Sequence, residues 1–159
     1  MRVPSRWLTA TPLRPSRATR SASPQPAGYS GTPLPRKLGF KPGFAAAYVD
    51  APDGFDALLG ELPDGVTVRR QLRGPLDLVV CFVTARRDFE RRLPKLRAAL
   101  APAGMLWIAW PKRASGVPTD MTEDVVREVA LPTGLVDTKV AAIDATWSGL
   151  RLVIRKELR

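Results

Sequence analysis

The chain has 159 residues, 45% of them hydrophobic, with 25 Lys+Arg against 15 Asp+Glu for a formal net charge of +10, no histidine and one cysteine. Those counts suit one globular domain, and the missing histidine excludes Ser-His-Asp and Cys-His nucleophile systems, imidazole acid-base catalysis and histidine-ligated metals. The lone Cys81 excludes an intrachain disulfide and a thiolate zinc site, and points to a reducing compartment, the cytoplasm.

Residues 1–27 carry five arginines, no acid and Pro4, Pro12, Pro15, Pro24 and Pro26, so a disordered basic extension is expected there. Half of the positive excess lies in this segment, and the remaining 28–159 are expected to form a single α/β domain. Its first part, 28–43, is a polar Gly/Pro-rich arm. Tyr29, Leu34, Leu38 and Phe40 suit it to covering a hydrophobic face, while Tyr29, Ser30, Thr32 and Lys37 become site candidates if it crosses the strand ends as a lid. No apolar run reaches membrane-spanning length, so no membrane association is expected.

The body alternates strand-like and helix-like segments. Residues 44–49 read as a first strand, followed by a helix with Phe55, Leu58, Leu59 and Leu62 on one face and Asp53 placed to cap it. A brief strand at 66–68 and an apolar one at 76–83 come next, the latter apolar on both faces as a central parallel strand must be. Thr84 is placed to cap a helix whose Phe89, Leu93, Leu96 and Leu100 share one face, and Pro94 is expected to kink or restart it. After 102–104 a fourth apolar strand covers 105–110. A polar loop then leads to a helix with Asp120 as cap and Glu123 at the capping-box position. Strands at 136–143 and 150–154 are joined by a link too short for a parallel crossover. The expected architecture is α/β, three-layer and Rossmann-like, a mostly parallel sheet with a C-terminal antiparallel hairpin.

In such sheets ligands bind beyond the carboxyl ends of the strands, here at the loops opening with Asp50, Thr84 and Pro111. The loop after the fourth strand is the richest. Lys112 and Arg113 offer charge, Ser115 and Gly116 offer backbone amides, Asp120 begins a helix with a positive N-terminus, and Trp110 reaches the pocket wall. Against this stands a plain solvated turn with Asp120 as cap. Asp50 is the best-placed acid or base, or else a turn residue, and Trp147 in the final link is an anchor or a contact residue. Cys81 is expected to be buried and inert, and Asp77 to take Arg73 or a backbone donor as partner. No carboxylates have metal-ligand spacing. The Arg-rich 86–97 helix lacks interleaved aromatics, so nucleic acid is not the expected partner.

The helix, Pro-Gly turn and strand over 96–110, with the terminal hairpin, resemble the S-adenosylmethionine-dependent methyltransferases. That family places a glycine-rich loop after its first strand and an acid at the end of its second, where this chain has 50–55 (Asp-Ala-Pro-Asp-Gly-Phe) and Arg69-Arg70. A second resemblance, over about 28–157, is to the bacterial domain of unknown function 3052. It rests on Tyr29 to Leu34, Lys37 to Gly39, Lys41 to Gly43, Trp110 to Lys112, Ser115-Gly116, Thr119-Asp120, Thr122 to Val125 and Trp147 to Arg151. The resulting expectation is a non-catalytic binder of a small anionic ligand or a protein partner, with no cofactor specified. The alternative is a divergent S-adenosylmethionine- or nucleotide-dependent transferase.

Overall fold

The computed structural model describes residues 32–159. The expected extension at 1–27, and Tyr29 and Ser30 of the arm, lie outside the described residues.

Six strands, β1 (Ala45–Val49), β2 (Thr67–Arg69), β3 (Leu76–Phe82), β4 (Leu100–Pro111), β5 (Leu135–Ala142) and β6 (Trp147–Ile154), form one sheet in the order β2-β1-β3-β4-β6-β5. The first four pair in parallel, and β6 runs antiparallel to both β4 and β5. The expected fold class is therefore the observed one. Among the described residues four α-helices flank the sheet: α1 (Leu34–Leu38), α2 (Phe55–Leu59), α3 (Arg86–Ala99) and α4 (Glu123–Ala130).

Alternation along the strands makes the three layers. Val79, Cys81 and Val83 from the β3 segment, with Leu106, Ile108 and Trp110 of β4, face α3 and α4 and meet Phe89, Leu93, Leu96 and Val126 there. Leu78, Val80, Phe82 and Trp107 point the other way, onto Leu34 and Leu38 of α1, Phe40, and Phe55 and Leu59 of α2. Trp107 is fully buried and its ring N–H donates to the Leu38 carbonyl at 2.8 Å, which ties the arm to the sheet. Gly149 on β6 makes room for that ring: a Cβ there would stand 3.0 Å from Trp107 Cε3.

Local expectations fail where a distant partner intervenes. The second helix stops at Leu59, because Gly60 takes φ 73° and Leu62 lies beyond it; its N-cap is Gly54, with no side-chain cap from Asp53. Thr84 does not cap α3, whose N-cap position is Ala85. Helix α3 runs on through Pro94, with Leu93 and Leu96 buried on either side, so of the two alternatives at Pro94 the restart does not occur. Strand β4 starts at Leu100, since Leu100 pairs with Leu76 before a register shift. The predicted 144–149 link shortens because β6 already begins at Trp147. Asp77 accepts from the Ala45 amide at 2.8 Å, the backbone alternative among its expected partners.

Candidate functional site

Strand β1 leads to β2 on one side while β3 lies on its other side, so the topological switch point falls between the carboxyl ends of β1 and β3. Asp50 sits there in the left-handed region, φ 55°, a conformation costly for most non-glycine residues but tolerated by aspartate. Its carboxylate pairs with Arg92 of α3 at 2.5 Å. Arg92 also lies against Cys81, whose thiol is pushed up to about 11 by burial; it is fully buried and inert, as expected. After Asp50 the chain turns through Gly54, φ 87°, where a Cβ would meet nothing within 4 Å, so this backbone is open to approach. At the end of β2, Arg69 donates to the carbonyl of Arg73 at 2.7 Å, serving its own turn.

A separate opening lies at the end of β4. A cavity of about 540 Å³ is lined by Trp110, Lys112, Arg113, Gly116 and Ser148, and closed on the far side by Thr119, Met121, Thr122 and Glu123. Trp110 is nearly buried and faces the opposite side of the sheet from Trp107, so it forms the inner wall, as its place at the strand end predicts. Ser148 enters because it stands opposite Trp110 in the β4–β6 register. Sequence reasoning missed it, although its adjacency to Trp147 in the final strand was a signal.

Three expectations about the β4 loop are corrected. The Ser115 and Gly116 amides are not free: Ser115 N–H donates to the Lys112 carbonyl at 3.0 Å and Gly116 N–H to Arg113 at 3.3 Å, closing a 3₁₀ turn. The Ser115 hydroxyl also donates to Lys112 and accepts from the Val117 amide. Asp120 does not cap α4. It accepts from the Arg86 amide at 2.7 Å and thereby caps α3, while Thr122 caps α4 by accepting from Val125 N–H at 3.1 Å. Glu123 is thus the first residue of α4, with Asp124 beside it, so the positive helix end already has two carboxylates. Thr119 completes the stitching by donating to the Thr84 carbonyl at 2.6 Å.

The site candidates therefore separate. Trp110, Lys112, Arg113 and Gly116 converge on the cavity, while Ser115 and Asp120 build its loop and Asp50 stands at the switch point. Trp147 turns away: it packs edge-to-face on Phe82, centroids 5.0 Å apart, continuing through Phe55 to Tyr48 on the α1 and α2 side. The described part of the arm, 32–43, packs on that face through Leu34, Leu38 and Phe40. Thr32 does not line the cavity, whereas Lys37 reaches the end of β5 and donates to the Ala142 carbonyl at 2.8 Å. Burial, with the charges of Lys112 and Lys139, holds the Lys37 amine below the usual lysine range. The signal missed altogether was Arg92, which in sequence is one of several arginines on a helix face.

Among the described residues there is no cluster of metal-ligating side chains and no helix long and apolar enough to cross a membrane. No protein-family model matches the chain, and no curated protein matches it. The resemblance to the domain of unknown function 3052 is therefore unsupported. Solved structures do match. An S-adenosylmethionine-dependent methyltransferase from Aquifex aeolicus is 14% identical, with a TM-score of 0.54, over 90% of this chain and 100% of that one. A fibrillarin pre-rRNA processing protein from Methanococcus jannaschii is 11% identical, with a TM-score of 0.53, over 78% and 69%. Aeropyrum pernix fibrillarin, with natively bound S-adenosyl-L-methionine, is 15% identical, with a TM-score of 0.50, over 79% and 70%. At these identities the likeness establishes the fold, which is methyltransferase-like. The expectation of a non-catalytic binder is corrected in favour of its alternative: these neighbours in fold are a protein named as a methyltransferase and one holding natively bound S-adenosyl-L-methionine.

Proposed function

We propose that the protein is a divergent S-adenosylmethionine-dependent transferase, with the cofactor at the β1–β3 switch point and the acceptor in the β4 cavity. The observation carrying this reading is the coincidence of a methyltransferase-like sheet with an open cavity of about 540 Å³ at its carboxyl edge.

The donor set at the switch point suits the methionyl end of the cofactor. Its ammonium matches the Asp50 carboxylate and its carboxylate matches the Arg92 guanidinium, groups that otherwise neutralise one another at 2.5 Å. The open backbone at Gly54 leaves space beside them. The ribose end is served differently from the methyltransferases' usual pattern, since β2 ends in Arg69 and is followed by Arg70 where an acid is the rule. When bound, the cofactor supplies an electrophilic methyl group. The chain's own residues hold and orient: Trp110 and Met121 give the cavity dry walls, while Lys112 and Arg113 favour an acceptor with negative charge. Glu123, across the cavity, is engaged by Arg127 at 2.6 Å. A nucleotide cofactor is the variant of this reading that the same residues serve least well, because Asp50 repels phosphate.

Calorimetric titration with S-adenosylhomocysteine tests the reading. Saturable binding is expected, weakened roughly tenfold or more by Asp50→Asn, as loss of a charged hydrogen-bond partner costs about 1.5–3 kcal/mol. No heat with S-adenosylhomocysteine or S-adenosylmethionine would remove it.

A further inference from the structure

Every ion pair among the described residues uses Arg86, Arg91, Arg92 or Arg127. Lys37, Lys139, Lys112 and Arg113 take part in none of these pairs, and two of them, Lys112 and Arg113, line the β4 cavity. Lys37 comes from α1 and donates to Ala142 at 2.8 Å; Lys139 comes from β5 and donates to the Lys37 carbonyl at 3.1 Å. Lys112 follows β4, its amide fixed to the Thr146 carbonyl at 2.7 Å, and Arg113 stands next to it on the cavity wall.

Nearby carboxylates are spent elsewhere. Asp144 accepts from the amides of Thr146 and Trp147, both at 2.8 Å, and Glu123 is held by Arg127. Residues 1–31 hold no acid, so that segment supplies no counterion either. Like charges gathered without a counterion raise the free energy of the folded chain, and burial adds to this for Lys37, whose amine is pushed down by desolvation and by Lys112 and Lys139. An anionic ligand removes that cost. A cavity of this volume selects a small molecule over a polymer.

We propose that the β4 cavity binds a phosphate-bearing small molecule, with Lys112 and Arg113 on the phosphoryl oxygens. As a statement about the acceptor this rests on the transferase reading; as a statement about an anion site it stands on the cluster and the cavity alone.

Amide NMR of the full chain, titrated with inorganic phosphate against chloride at constant ionic strength, tests it. Saturable shifts are expected at Lys112, Arg113 and Gly116. Lys112→Gln should weaken phosphate roughly tenfold and leave the ligand-free melting temperature unchanged or raised, because it relieves repulsion. Arg87→Gln, an exposed cation on α3, should leave phosphate affinity unchanged. Unsaturable shifts, equal effects of the two variants, or tighter binding of succinate than of phosphate would overturn the assignment. Parallel calorimetry with S-adenosylhomocysteine separates the two claims. Phosphate binding without S-adenosylhomocysteine binding supports the anion site and removes the transferase reading; the converse overturns the phosphate site alone.

Discussion

The two openings along the carboxyl edge of the sheet are built on opposite principles. At the switch point an acid and a base from distant elements, Asp50 and Arg92, satisfy each other, and a ligand there must replace the pair. At the β4 cavity the cations Lys112 and Arg113 have no carboxylate partner among the described residues, while the loop's amides and hydroxyls are consumed in holding its shape. A self-neutralised site selects a ligand carrying both charges, and a site with unbalanced charge selects an anion. The charge is balanced at one and unbalanced at the other, which gives the edge two chemically distinct compartments.

That contrast depends on a single rigid sheet beneath both openings, and Trp107 tests this most severely. Its ring is buried between β6 and the arm, so Trp107→Ala should cost about 3–5 kcal/mol in urea unfolding and blur both sites together. An undiminished stability would mean that the arm and sheet are not coupled as described.

Cys81, beneath Arg92, probes the closed compartment by pH. Its folded thiol titrates at about 11, above the ordinary free value of about 8.5. The folded state then holds the proton that the unfolded chain loses, so this contribution to stability is complete below about pH 8.5 and declines as pH rises toward 11. Urea midpoints at pH 8, 9 and 10 should fall in the wild type and fall less in Cys81→Ala; equal slopes would contradict burial of this thiol.

The smallest effect concerns the open compartment's far wall. Asp120→Ala removes the acceptor for the Arg86 amide and should cost about 1 kcal/mol, with the cavity loop losing amide-exchange protection around Thr119 and Met121. Unchanged protection would show that the loop does not need its link to α3.

Burial and alternation made the body of the fold legible in the sequence. The run at 76–83 and the residues 105–110 are apolar because both sheet faces are covered, and the opposite orientations of Trp107 and Trp110 follow from the two-residue period. Helix α3 declares itself through Phe89, Leu93 and Leu96. The capping assignment of Asp120 failed for a physical reason: a capping carboxylate recognises any nearby amide, and Asp120 found one 34 residues away in sequence. Four members of the cavity, Trp110, Lys112, Arg113 and Gly116, were legible from their place after a strand end. Ser148 and Arg92 were not, since one depends on hairpin register and the other on which face of α3 overhangs Asp50.

The account's central claim is that the Asp50–Arg92 compartment accepts the cofactor of a transferase, and calorimetry with S-adenosylhomocysteine addresses it directly. The prediction is one saturable site, weakened by Asp50→Asn and by Arg92→Ala, and unaffected by Arg87→Gln. Absence of binding, or binding that ignores both switch-point substitutions, would contradict it.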